Sequence, residues 1–513
     1  MKRPEGPGGG LGPPQDPPPP LCRELWGSRE AARYREDSRG GLQRLVPPGA
    51  CSHSCLRRAA ARVLLPQGYP ESVSPDYLQY QCWDALQHPD GRLGHPGGSP
   101  GRGGGRQRRH RHRGHPHLGA AGFPPKPAPV PKIARFHPKT GAPADGVGMV
   151  TRITFAWLQG TRLDCEAKQW RLAADVLNDA ALVLELLAPA WPRAGPALLA
   201  LAAAAKCIVG VAGGATRAAL AVHQARRDNV ADVAAKDGSQ ETLVNGAGLL
   251  LALVLLPLLE GRPWVTWGVV TLLLATHLGA NLRALGALRL PTLNRPRLRL
   301  ALGGALRGGA RQGGVRQPHP TGDAVIVVPG PDEVNPREPL LPGFSTRLTL
   351  HLGAPLHRLV HSEAEFRKAL ECGTEDYIIV LRPSRGWVGV GLRRGAPPDA
   401  PLRACAQALL LEELLGPDLP PGAPGGAALR PLQQRLRRCP PGTVPWGVVA
   451  ESSRLWRTLG PAFLRGLAAA GWETGRHLLA PDEWQLDWAG PEGGAPGDEP
   501  RPSPHNRLRP SAD

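Results

Sequence analysis

The chain is 513 residues long, carries 62 Lys and Arg against 43 Asp and Glu for a net charge of +19, and contains 65 Gly and 59 Pro. That length leaves room for two or three domains, but the Gly and Pro content excludes a uniformly folded globule, because such segments bury too little apolar surface to offset the entropy of ordering them. Nine cysteines without a repeated spacing exclude a disulfide scaffold and fit reduced, intracellular thiols.

In chain order, residues 1–60 are rich in Pro and Gly, aperiodic, and expected to be a disordered leader. Their opening, "MKRPEGPGGGLGPPQDPPPP", has no apolar run behind its charges, so no secretory signal is expected. Cys51 and Cys55 with His53 between them make half a metal site, but no second pair at zinc spacing follows, and no metal is expected. Order is expected from 63–87, "VLLPQGYPESVSPDYLQYQCWDALQ", where Pro-punctuated turns lead into a helix opening at Pro75.

The next stretch, 88–144, breaks every period and holds eleven Lys and Arg against one acid, Asp90, which supplies +10 of the net charge. Such a tract attracts phosphates, yet it lacks the interleaved aromatics on which bases stack. His110, His112, His115 and His117 have no periodic framework around them. Neither nucleic acid nor a metal is expected as its ligand.

After Gly146 helical periodicity returns, with Trp170, Ala173, Ala174 and Leu177 on one stripe. Three apolar runs follow: 194–214, interrupted only by Lys206, then 242–259 and 264–280, separated by "EGRP". Each approaches the roughly 20 residues that span a hydrocarbon core, and so short a connector makes the last two an antiparallel helical hairpin. Arg226, Arg227 and Lys236 precede the hairpin and Arg283, Arg289, Arg295 and Arg297 follow it, whereas its tip has only Arg262. The positive-inside bias therefore puts both ends in the cytosol. Trp264 and Trp267 suit an interfacial belt, and Gly210 with Gly214 gives small-xxx-small spacing. The Asp237–Gln240 spacing resembles a cap that starts the first hairpin helix.

A Gly/Pro-rich linker, 305–343, separates these helices from a mixed region, 344–490, and a tail, 491–513, is expected to be disordered. Within the mixed region "YIIVLRP" and "WVGVGLR" read as a strand pair across a Ser-Arg-Gly turn. Helices are expected from Ser362, with Glu365 at capping-box spacing, over 401–415 and over 452–470.

Lys206 sits in an apolar run, where an ionisable group is costly unless it snorkels, pairs with an acid such as Glu185 or Asp179, or faces a cavity. Asp175 and Asp179 share one helical face and read as a polar seam between packed helices, or as an acid and a base acting together. Arg217, His223, Arg226, Arg227, Asp228, Asp232, Lys236 and Asp237 alternate in sign at helical spacing, as a solvated face with ion pairs does. The sharper alternative is an anion or head-group site built from Arg217, Arg226 and Arg227. A transport path would be lined by Lys206, Asn178 and Asp179. No phosphate loop, HExxH helix or nucleophile elbow occurs, so neither enzyme activity nor a cofactor is expected.

Three long blocks, "LLPQGYPESVSPDYLQYQCWDALQ", "DGVGM" with "LDCEAKQWRLAADVLND", and "KCIVGVAGGATRAALAVHQARRDNVADVAAKDGSQETLVN", resemble the signature blocks of the root UVB sensitive (RUS) family. The resemblance covers 63–87 and 145–300 and extends more loosely to 488. It implies a helical membrane-associated domain and a shared C-terminal module, with plant relatives linked to ultraviolet-B responses, auxin transport and vitamin B6 homeostasis. It implies no catalytic mechanism. The vitamin B6 link raises a Schiff-base role for Lys206, against which simple pairing with an acid is the plainer reading.

Relatives carry a helical run near a Leu-Ala-Thr-Gln stretch where this chain reads Gly94, His95, Pro96, Gly97. The nucleotides CTGGCCACCCAGG encode the former in one frame and Gly-His-Pro with the start of a Gly codon in another. Residues 88–144 are accordingly read as a non-native insert, out of frame to about 118 and retained non-coding sequence beyond, a reading that the spliced message tests directly.

The sequence thus points to a mainly α protein: a leader (1–60), a multi-helix membrane-associated domain with a helical hairpin (61–304), a linker, and a small α+β C-terminal domain. The expected role is that of an adaptor or transport-related protein of an intracellular membrane, with the bilayer as one partner and a protein bound by the C-terminal domain as another. The alternatives are a small-molecule transporter proper and a soluble binding or scaffold protein whose hairpin is core.

Overall fold

Six helices form from the apolar periodicity of 77–287 in the computed structural model, which describes residues 22–26, 29–36, 42–45, 63–87, 141–307, 326–341, 347–418 and 426–488. They are α1 (Tyr77–Gln87), α2 (Gly141–Leu163), α3 (Ala167–Leu187), α4 (Gly195–Gln224), α5 (Val230–Leu259) and α6 (Pro263–Ala287). Prolines stand in the first turns of α4 and α6, where the missing N–H has no intrahelical partner to lose. Gly261, at φ 73°, makes the tight turn between α5 and α6.

α4, α5 and α6 are long and apolar enough to cross a bilayer: their most apolar windows have mean hydropathy 1.9, 2.2 and 1.4, and only 17%, 11% and 17% of those windows is buried. Ala181 packs with Ala202 and Ala205, and Ala174 with Ala212, so α3 runs antiparallel to α4 through a seam of small residues.

α5 begins at Val230, well before the Asp237–Gln240 spacing expected to start it. Arg217 on α4 pairs with Asp237 at 3.4 Å and Glu241 at 2.9 Å, so the charged turns gain partners and continue as one helix with the apolar run. A second departure lies in the stretch read as a leader. Here β1 (Cys22–Trp26), β2 (Arg29–Glu36) and β3 (Leu42–Leu45) form an antiparallel sheet whose mostly polar strands offer no apolar alternation to read. The Cys51, His53 and Cys55 group, the 88–140 part of the insert, and the tail lie outside the described residues.

The C-terminal module is α+β. Strands β6 (Tyr377–Arg382) and β7 (Trp387–Arg393) pair antiparallel across a short turn closed by Gly386 at φ 57°, as the sequence predicts. β5 (Thr349–Leu352) and β9 (Gln485–Leu486) both run parallel to β7 along its other edge. β6 is buried at every position because α8 (Glu363–Cys372) covers one face of the sheet and α9 (Ala400–Leu414) the other. Ser362 caps α8, its Oγ accepting from Glu365 N at 3.2 Å, while Glu365 accepts in return from His361 N. α10 (Gly426–Arg437) and α11 (Trp446–Ala469) complete the helical layer, α11 starting six residues before the expected 452.

The two halves interlock across the boundary read at 304. α7 (Arg295–Leu306) follows β4 (Thr292–Asn294) and buries Leu298, Ala301, Leu302 and Ala305 in the C-terminal core, because its Arg/Leu alternation leaves one apolar stripe that α9 covers. β4 pairs in parallel with β8 (Glu473–Leu478). At this junction Glu338 accepts from Arg297 Nε at 2.9 Å and Asn294 Nδ2 at 2.8 Å, and lies 3.4 Å from Lys168 Nζ at the start of α3. Lys168 also donates to Leu288 O and to Asn335 Oδ1.

Candidate functional site

Beside their apolar contacts, the helices enclose a ladder of polar side chains. On α3, Arg171, Asp175 and Asp179 recur every four residues, so they climb one face in steps of roughly 6 Å. Each rung meets a partner from another helix. Asp84 of α1 accepts from Arg171 Nη2 at 2.9 Å and from Tyr80 Oη at 3.2 Å, and Gln87 also donates to it. Asn281 of α6 donates to Asp175, and His277, one turn away on α6, lies 2.9 Å from Asp179. Further along, Glu185 of α3 accepts two hydrogen bonds from Lys206, at 2.6 and 2.7 Å.

Helix register sets the depth of these rungs. Ala181 meets Ala202 and Ala205, so Asp179 stands level with about the middle of α4's apolar run, beside Lys206. His277 comes from the interior of α6. The Asp179–His277 rung therefore lies within the apolar zone, on the tip side of Asn281, and the Asp84–Arg171 rung is nearest the charged ends of α4 and α5. Beside that outer rung, Tyr80, Gln81, Asp84, Arg171, Arg217 and Asp237 border a cavity of about 20 Å³, space for one water.

Of the residues singled out from sequence, Asp179 and Lys206 lie on the ladder. Asn178 is half-buried on α3 but makes no side-chain hydrogen bond to it among the described residues. Arg217 faces Asp237 and Glu241, whereas Arg226 and Arg227 are exposed in the α4–α5 connection, so the three arginines do not converge. Lys206, half-buried, has a carboxylate for a partner. Sequence reasoning passed over His277 and Asn281, though two polar residues four apart in an otherwise apolar helix are a legible signal. Asp84 and Arg171 gave none, since they are 87 positions apart. Among the described residues no group of three or more His, Cys, Asp or Glu is arranged to hold a metal ion.

At the charged end, Asp76 ties three segments together: it lies 3.1 Å from His223 Nε2 at the end of α4 and accepts from Arg289 N at 2.6 Å. Burial raises its pKa, but the hydrogen bond and charge of His223, aided by Ser74 and the Arg289 amide, outweigh burial and hold it down to about 2. A carboxylate whose folded pKa lies below its unfolded 3.8 stabilises the fold above that pH and loses the contribution as pH falls toward 2. The loss is about 2 kcal/mol. Acid titration of detergent-solubilised protein is expected to show this limb, and Asp76→Asn to flatten it; an unchanged limb in the variant assigns the acid sensitivity elsewhere.

The geometry can be set beside known proteins. A family profile described as a vitamin B6 photo-protection and homoeostasis domain matches residues 51–92 and 143–308, and one described as the C-terminal part of root UVB sensitive protein matches 327–488. The first match stops at 92 and resumes at 143, so most of the Arg/Gly/His tract falls outside it. RUS family member 1 of Dictyostelium discoideum is 38% identical over 242 residues, 46% of this chain and 42% of that protein. Protein root UVB sensitive 3 of Arabidopsis thaliana is 33% identical over 308 residues, 59% of this chain and 61% of that protein. The chain thus aligns with about half the length of these relatives. No solved structure matches it.

Proposed function

Because the chain belongs to the root UVB sensitive family, we propose that it is an integral protein of an intracellular membrane that passes a small polar solute along the α3 ladder without chemically changing it. The observation that carries this reading is the Asp179–His277 rung. Ionisable groups at that depth are expensive in lipid, and they mark solute or proton paths by default.

Insertion itself is supported by what the helices leave open. Leu249, Leu250, Leu253 and Val254 of α5 and Leu272 of α6 are each more than 60% exposed, and a soluble hairpin core would need them covered. Trp264, 88% exposed beside the hairpin tip, fits an interfacial aromatic. The tip and the turn between α3 and α4 share one end of the bundle, while the junction with the C-terminal module lies at the other, so the module shares the side of the basic hairpin ends. Resistance of the protein to carbonate extraction is the corresponding check.

The solute class to test first comes from the family description, which names vitamin B6. Proteoliposomes holding the full chain are expected to take up labelled pyridoxine at least tenfold faster than protein-free vesicles, and Asp179→Asn or His277→Gln to remove most of that gain. The exposed Arg227→Ala is expected to leave it intact. Uptake no faster than in empty vesicles, or unaffected by both ladder substitutions, rejects the reading for this solute.

A further inference from the structure

The C-terminal module carries an open groove that the ladder does not use. Its volume is about 770 Å³, and its walls include Leu356, His357, Phe366, Trp484 and Leu486 over a floor at Val360. Trp484 is 59% exposed and Leu356 38% exposed, an apolar surface left uncovered on a module in which Trp387, Trp446, Trp456, Trp472 and Trp488 are packed against its core. Aromatic-lined grooves of this kind take extended, proline-rich peptides, whose rings stack on the aromatics and whose restricted backbone loses little entropy on binding.

The chain itself supplies such a peptide where it leaves the module. β9 forms one wall, and two residues later Trp488 packs, as Phe366 and Leu486 do, against the core cluster that contains Val360, with Arg393 over its ring at 5.9 Å. The backbone is therefore anchored at the rim of the groove when the remaining residues, 489–513, begin. Pro500, Pro502 and Pro504 follow in "EPRPSPHNRLRP". Alternate prolines fix φ near the polyproline value, and the stretch from Trp488 to Pro500 reaches at most roughly 40 Å when extended, ample to return across the groove. We propose that this tail segment, 500–510, occupies the groove beside Trp484 of its own chain, so that an external proline-rich partner binds only by displacing it. The proposal concerns the C-terminal module alone and is independent of transport along the ladder.

Intramolecular competition makes this measurable. A short tether gives an effective concentration on the order of 1 mM, so a tail peptide with a Kd of about 100 µM would bind the intact chain roughly tenfold more weakly than a chain ending at Trp488. Fluorescence polarisation of a labelled 495–513 peptide, measured on both chains in detergent, is expected to give that ratio. Trp484→Ala in the shortened chain, and a peptide with Pro500, Pro502 and Pro504 replaced by Ala, are each expected to weaken binding at least tenfold. No binding to the shortened chain, equal binding to both chains, or indifference to Trp484→Ala overturns the proposal. So does preferential binding of a peptide from either of two other proline-rich stretches, residues 12–21 or 124–131, which would make that segment the occupant.

Discussion

Replacing Glu338 by alanine is expected to cost the protein about 3–5 kcal/mol of stability, because the change leaves two buried cations without their shared counter-ion. The side chains of Lys168, Arg297 and Glu338 are each 1% exposed. Burial alone would push the Glu338 carboxyl up, but Arg297 and Lys168 flank it and hold it below the usual carboxylate range. Burial dominates for Lys168, whose pKa is pushed down to about 8 despite Glu338, as expected when one carboxylate must serve two cations. Without Lys168, Glu338 still accepts from Arg297 and Asn294, so the loss of Lys168 is the milder change. Thermal unfolding followed by Trp fluorescence is expected to report a large drop in midpoint for Glu338→Ala and a smaller one for Lys168→Met. Equal midpoints for Glu338→Ala and the parent chain would mean that the junction does not hold the halves together. The site matters because Lys168 stands in the first turn of α3, which carries the ladder. Loosening the junction frees the helix that positions Arg171, Asp175 and Asp179.

How far the sequence reveals this arrangement depends on how local the signal is. The apolar runs, the strand pair and the Ser362 cap are patterns within a dozen or two residues, and each stands where its period or spacing predicts. Lys206 pairs with Glu185, one of the two acids within helical reach of it, and the Asp175 and Asp179 pair lies at a seam between α3 and α6. What stayed hidden is non-local. The partners of the ladder are separated by 87, 98 and 106 positions, and periodicity carries no information over that range. The same holds for β4 and β8, whose parallel pairing joins residues near 293 to residues near 477. α7 lies within the first family match, which runs to 308, yet its apolar stripe packs in the C-terminal core beneath α9, a contact that no local period announces. The Asp237–Gln240 spacing hides the true start of α5 because it reads as a cap, although the charged turns before it are already at helical spacing and pair with Arg217.

The second large effect is expected at the outer rung. Arg171→Met leaves Asp84, 4% exposed, without its cation and is expected to destabilise the helical domain by about 3–5 kcal/mol. Asp84→Leu does the same from the other side, stranding Arg171, which is 5% exposed and still has Asp175 at 3.6 Å. That residual contact makes Asp84→Leu the milder of the two. A buried pair is often no more stable than apolar residues of similar volume, so the double variant Arg171→Met/Asp84→Leu is expected to recover most of the loss, with a coupling energy of about 2–3 kcal/mol between the sites. Tyr80 and Gln87, which also donate to Asp84, set a limit on that recovery, because the leucine offers them no acceptor. Denaturant unfolding of all four proteins in one detergent gives the cycle. Additive losses would mean that Arg171 and Asp84 are stabilised by separate surroundings and that the first rung is not a unit. A folded double variant has a further use: with the outer rung apolar and Asp179–His277 untouched, solute uptake that persists at the parent rate would remove the outer rung from the path while leaving the deep rung in it.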